Sequence, residues 1–175
     1  MFERKDEQTS LHPISKIASE ALLLRKIEPE DLQQLLPISF YDGKRAATVA
    51  EAEKMLQQIE QDYLCGESIH WGIEEKSSGK LTGTCGFYRG FKSASGELGC
   101  VLLAEYRGKG YMTEAMRLAI DFGFRRIGLK RIFAVTSKDN SAAIRLLERL
   151  NFRSIKGTKE EAQYEILPPT EKPRK

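Results

Sequence analysis

A chain of 175 residues, 41% hydrophobic and 30% charged, suits one globular domain around a single sizeable core. Its 28 basic and 25 acidic residues leave a net charge of +3, and the basic clusters Arg125-Arg126, Lys130-Arg131 and 172–175 carry no interleaved aromatics, so nucleic-acid binding is not expected. Three cysteines (Cys65, Cys85, Cys100) without C-x-x-C spacing and two distant histidines (His12, His70) predict neither disulfides nor a metal site, and no apolar run has signal-peptide or membrane-span length, which predicts a cytoplasmic protein.

Residues 1–20 show no sustained period and read as a mobile or loosely docked arm. From Ala21 the run ALLLRKI reads as a strand. Glu28-Pro29-Glu30-Asp31 then opens a short helix to about Leu36, with proline at its start and acids at the positive end of its dipole. Thr48-x-x-Glu51 is a capping box ahead of Val49, Ala52, Met55 or Leu56, Ile59 and Tyr63, spaced as one face of a helix over 48–64. Three strands follow as an antiparallel meander: His70 to Glu75, Leu81 to Tyr88 and Glu97 to Leu103. From Gly110 the period becomes helical, with Met112, Ala115 or Met116, Ala119, Gly123 and Ile127 on one stripe and Gly128 at the left-handed terminating position. Arg131 to Thr136 reads as a strand, Asp139 or Asn140 caps a helix to Leu150, and Asn151 takes its left-handed end. Phe152 to Lys156 and Gln163 to Leu167 close the unit as a hairpin, before a disordered tail over 168–175. The order predicts one α+β domain over 21–167.

The segment GCVLLAEYRGKGYMTEAM joins a strand to a helix through a short glycine-containing loop. It gathers unpaired backbone N–H groups at a helix N-terminus, where a pyrophosphate fits; Gly108 and Gly110 permit close backbone approach, and Arg107 and Lys109 add positive charge. Neither the Walker A pattern nor the dinucleotide fingerprint matches. The run Arg107-Gly108-Lys109-Gly110-Tyr111-Met112 resembles the Q/R-x-x-G-x-G/A loop of the GNAT superfamily, with Met112 departing at the sixth position. Thr113-Glu114-Ala115, FAVTSKDN and the ending LLERLNF are similar, in order, to its RimJ/RimL-like branch.

The resemblance implies a GNAT-like mixed, mostly antiparallel central sheet with helices on both faces. It also implies an acetyl-CoA-dependent N-acetyltransferase. In that family the loop's amides hold the pyrophosphate, the preceding strand bulges and pairs with pantetheine, and an Asn opening the next helix touches the cofactor. By position this implicates Val101, Leu102, Leu103, Arg107, Gly108, Lys109, Gly110, Tyr111, Met112, Thr113 and Asn140. Met112 is expected to turn into the core. Ala143 stands where many relatives carry Ser, and Leu147 where other branches carry a thiolate-protonating Tyr, so the usual general acid is missing.

Glu97 is a candidate base beside the alternative of a structural carboxylate. Ser141, Tyr164 and Tyr88 are candidate acids beside capping or packing roles. Cys85 and Cys100, on adjacent strands, read as small buried hydrophobes rather than nucleophiles, and His70 and Trp71 open a strand that walls the acceptor cleft or serves structure. The expected reaction is direct attack by a primary amine, a protein N-terminal α-amine or a small-molecule amine, on acetyl-CoA in a ternary complex, with amides near Val101 and Leu102 holding the oxyanion. The alternative is a catalytically inactive acyl-CoA-binding regulatory or scaffold module. No metal or membrane partner is expected, and the chain is expected to be a monomer or homodimer.

Overall fold

The computed structural model describes residues 14–169. In chain order its elements are β1 (Ile17–Ala18), β2 (Leu22–Arg25), α1 (Leu32–Leu35), β3 (Phe40–Tyr41), β4 (Lys44–Arg45), α2 (Val49–Leu64), β5 (Ile69–Glu75), β6 (Lys80–Phe87) and β7 (Ser95–Leu102). Then come α3 (Tyr111–Phe122), β8 (Arg131–Ser137), α4 (Ser141–Arg149), β9 (Arg153–Ile155) and β10 (Glu161–Ile166). Eight strands form one sheet in the order β1-β2-β5-β6-β7-β8-β10-β9, and β3 and β4 form a separate hairpin. Neighbours in the main sheet are antiparallel except β7 and β8. This is the mixed α+β sheet expected from the resemblance.

Strand alternation divides the sheet into two faces. On one, Ile69, Trp71 and Ile73 of β5, Cys85 and Phe87 of β6 and Leu98 and Leu102 of β7 join Ala115, Met116, Ala119 and Phe122 of α3 in the main core. Trp71 is fully buried, edge-on to Phe122 at 5.4 Å between ring centres. Each large apolar side chain buried there contributes about 1.5–3 kcal/mol. On the other face, Leu32 and Leu35 of α1 and Ala52 of α2 pack with Ile27 and Leu81 in a smaller core.

Three helix ends follow local chemistry. The Thr48 hydroxyl accepts the Glu51 N–H at 3.2 Å, the Asn140 side chain accepts the Ala143 N–H at 3.1 Å, and Asn151 has φ 64°. Helix α3 continues through a π-helical turn, Gly123–Ile127, to Gly128 at φ 80°. The chain is seated earlier than residue 21. Ile17 and Ala18 pair with β2, Ile14 and Ile17 pack on the main core, and the Ser15 carbonyl accepts the Trp71 indole N–H at 3.0 Å. A buried indole needs such a partner, and this one draws residues 14–18 onto the sheet edge rather than leaving them a loose arm. The remainder of the expected arm, 1–13, and the tail beyond 169 lie outside the described residues.

Candidate functional site

The parallel ladder between β7 and β8 covers three residue pairs, Ser95 with Arg131, Gly96 with Ile132 and Glu97 with Phe133. Beyond it, Leu98–Leu102 pairs with β6 and Ala134–Ser137 pairs with β10, so among the described ladders none joins the two strands there. A slot opens in the middle of the sheet. Backbone direction alternates along an antiparallel strand. Leu103 N–H donates to Thr82 and Tyr88 N–H donates to Glu97 O, both at 2.9 Å. Glu97, Gly99, Val101 and Leu103 therefore bond toward β6, while Leu98, Cys100 and Leu102 direct N–H and C=O toward the slot.

That phase corrects one expectation. The register between β6 and β7 runs without a shift from Leu98 to Leu102, and the recorded irregularity lies instead between β5 and β6, at Ile73/Glu74. Val101's amide faces β6, and it is Cys100 and Leu102 whose backbone groups turn to the slot. One residue along a strand reverses the backbone's direction, which spacing alone could not resolve.

At the end of β7 a 3-10 turn, Ala104–Tyr106, leads to Arg107, Gly108, Lys109 and Gly110, all exposed, at the N-terminus of α3. Gly108 and Gly110 have φ 76° and 84°, and a Cβ on either would meet nothing within 4 Å. The glycines thus serve a left-handed backbone and keep the space before the helix dipole open. Lys109 Nζ lies 5.0 Å from the Tyr106 ring centre and 6.0 Å from that of Tyr111, so two aromatics hold the cation at the loop. The Tyr111 hydroxyl donates to Glu75, whose carboxylate is held below its usual range first by Ser78 and then by Tyr111. Met112 packs against the main core as expected, and Thr113 lies half-buried in the first turn of α3.

The α1/α2 face of the sheet carries a cleft of about 500 Å³. Its floor is His70, Thr84, Tyr88 and Val101, its walls are α1, α2 and the β3–β4 hairpin, and Arg89, Asp42 and Asp62 are its charged lining residues. The Tyr88 ring lies over Gly99, where an added Cβ would come within 2.0 Å of Cε2, and stands edge-on to His70 at 4.6 Å. Burial pushes the His70 imidazole down to about 4, so it is neutral at pH 7, and burial raises the Tyr88 phenol.

The sequence pattern of the family described as "Acetyltransferase (GNAT) domain" matches residues 21–153. The chain belongs to this family. "Uncharacterized N-acetyltransferase p20" of Bacillus licheniformis is 33% identical over 143 residues, covering 77% of this chain and 80% of that protein. Among solved structures, a putative ribosomal-protein-serine acetyltransferase from Vibrio cholerae superposes with TM-score 0.77 at 20% identity, covering 89% of this chain and 99% of its own. RimL, a ribosomal L7/L12 α-N-protein acetyltransferase in complex with coenzyme A, superposes with TM-score 0.78 at 16% identity over 87% and 98% of the two chains. The family assignment makes this an acetyl-CoA-dependent N-acetyltransferase.

The candidate residues divide by place. Ser141 is exposed at the first position of α4, and Asn140 spends its side-chain oxygen on the cap while its amide nitrogen stays available. Glu97 shares the cleft face of β7 with Val101 by alternation, but its carboxylate is paired with Arg89 at 2.6 Å. Tyr164 is buried in the main core between Ala134 and Ser154 on neighbouring strands, a packing position. Leu147 is also in that core. Cys85 and Cys100 face each other across β6 and β7, and hydrogen bonding between the thiols, with burial, holds Cys100 well above its usual range. That is the chemistry of an unreactive thiol.

Asp62 was not among the candidates, and no hairpin was expected within the 36–48 connection. Asp42-Gly43, with φ 48° and 73°, is a two-residue hairpin turn whose Asp-Gly pair is itself a signal. Asp62 follows Met55 by seven positions and Ile59 by three, on the helical stripe that faces the cleft.

Proposed function

We propose that this enzyme transfers the acetyl group of acetyl-CoA directly to a primary amine held in the α1/α2-side cleft, with the acyl thioester lying in the slot between β7 and β8. The observation carrying the reading is the broken ladder, which leaves the Cys100 and Leu102 backbone groups turned away from β6 with no strand paired to them among the described ladders, shortly before a glycine loop and helix N-terminus. The unpaired strand edge suits the amides of a pantetheine arm, as in β-strand addition. The 107–110 amides and Lys109 suit its pyrophosphate. Asn140's free amide nitrogen suits a polar group of the same ligand.

In this reading a neutral amine attacks the thioester carbonyl carbon, and the N–H of Cys100 or Leu102 donates to the oxygen as it becomes negative. The nitrogen of the tetrahedral centre gives up its extra proton to water or to the departing sulfur, the C–S bond breaks, and CoA leaves as a thiolate or thiol with a pKa close to the roughly 8.5 of a free thiol. Losing the acceptor's proton costs about 4.6 kcal/mol at pH 7 for a lysine-type amine and about 1.4 kcal/mol for an α-amine near pKa 8. His70, neutral at pH 7, is a weak base, and the Glu97 carboxylate is engaged by Arg89, so the acceptor enters the reaction as free amine at that cost.

The test is acetyl-CoA binding by calorimetry alongside thiol release across peptide α-amines, lysines, diamines and aminoglycosides. Acceptor-dependent thiol release is expected for at least one class. Tight acetyl-CoA binding with no acceptor-dependent release from any class would favour a non-catalytic acyl-CoA-binding module.

A further inference from the structure

The cleft's lining is unevenly charged. Met55, Leu56 and Ile59 of α2, with Leu35 and Ile38 opposite, make an apolar trough that ends at Asp62. Asp62 accepts the Tyr41 hydroxyl at 2.8 Å and the Gln58 amide N–H at 3.0 Å, which leaves carboxylate lone pairs for a further donor. No cation among the described residues pairs with it. The cation lining the cleft, Arg89, is engaged by Glu97, and the imidazole near Asp62 is neutral at pH 7. A carboxylate at the end of an apolar trough, with no cation of its own, attracts an ammonium brought by the ligand.

Its place relative to the slot sets the ligand's shape. Val101 lies on β7 and His70, close to Asp62, lies on β5, two strand spacings away or about 10 Å across the sheet. We infer that the preferred acceptor is a diamine: a primary amine that reaches the slot, an uninterrupted apolar span on the order of 10 Å along the α2 trough, and a second ammonium bound by Asp62. This rests on the acceptor-cleft reading above and narrows its substrate class. A charged nitrogen midway along the span would face Met55, Leu56 and Ile59 and lose its hydration without a partner.

The test compares kcat/KM for 1,8-diaminooctane, octylamine and spermidine, with a peptide α-amine alongside. The expected result is at least a tenfold preference for 1,8-diaminooctane over both octylamine and spermidine in the unaltered enzyme. Asp62→Asn, which keeps acceptors for Tyr41 and Gln58, should cost the diamine at least tenfold and octylamine less than about threefold. Equal rates for octylamine and the diamine, a preference for spermidine, or an undiminished diamine preference in Asp62→Asn would each overturn the inference. The comparison within the unaltered enzyme needs no folded variant. Turnover of the peptide alone overturns this inference and leaves amine acetylation standing. No turnover of any amine across the wider panel, with acetyl-CoA bound, removes both.

Discussion

The proposed cofactor slot and the proposed acceptor cleft lie against the same strand and are made of different material. The slot is built from backbone: the Cys100 and Leu102 amide groups, a loop with two left-handed glycines and the N-terminus of α3, all within 98–113. The cleft is built from side chains of α1, α2, β5, β6, β7 and the β3–β4 hairpin, spread from Ile27 to Val101. A backbone-built site constrains residues by conformation and so leaves a short motif. A side-chain-built cavity constrains only shape and polarity, which many sequences satisfy, so its specificity has to be found from the assembled walls.

The sharpest way to break this comparison is to spoil one side and measure both. Gly110→Val places a β-branched residue at φ 84°, costing about 1–2 kcal/mol in backbone strain and filling the open approach. The KM for acetyl-CoA should rise at least about 30-fold while the fold, followed by circular dichroism, is kept. If Gly110→Val binds acetyl-CoA as tightly as the parent, the loop is not the cofactor cradle. The converse change is Gly99→Ala, whose Cβ would drive the Tyr88 ring off the cleft floor. About a tenfold rise in acceptor KM is expected, equivalent to about 1.4 kcal/mol, with the acetyl-CoA KM within twofold. Equal rises in both constants would show that slot and cleft are not separable.

Smaller effects test how little acid–base help the site supplies. Ser141→Ala, Tyr88→Phe and Tyr164→Phe should each lower kcat by less than about tenfold, against the roughly 10²- to 10⁴-fold loss of a general acid. A hundredfold loss in one of them, with acetyl-CoA binding intact, would identify the acid and end the case for unaided thiolate departure. The smallest effect concerns His70. Its folded-state value of about 4 lies below the ordinary 6.5, so the unfolded chain takes up the proton first as pH falls. His70 therefore contributes no pH dependence above about 6.5, removes stability progressively between 6.5 and 4, and no more below that. Partial solvent access keeps the effect to about 2 °C in Tm, read as the difference between parent and His70→Gln melting curves over that window. Parallel curves would mean that the imidazole is not desolvated.

The same division explains what could be read in advance. Thr48, Gly108, Gly110, Gly128, Asn140 and Asn151 were legible because each is required by its own backbone angle or by a helix end a few residues away. The main strands and α2, α3 and α4 were legible from hydrophobic period, which records the face a residue buries. The docking of residues 14–18 was not, because it depends on the Trp71 indole finding a carbonyl 56 residues earlier in the chain. Asp42-Gly43 carried a hairpin signal, but with two-residue strands beside it there was no alternation to support it.

By itself, then, the sequence determined the order and type of the main elements and a left-handed glycine loop at the start of α3, because both are written in interactions within a turn or two of chain. Tertiary structure alone decided that β7 and β8 part after Glu97, that Cys100 rather than Val101 faces the gap, that Arg89 occupies Glu97, and that Asp62 meets the cleft without a cation among the described residues. Each of those depends on register or on side chains far apart in sequence. Shifting a strand by one residue would leave the motif unchanged and reverse which groups face the slot.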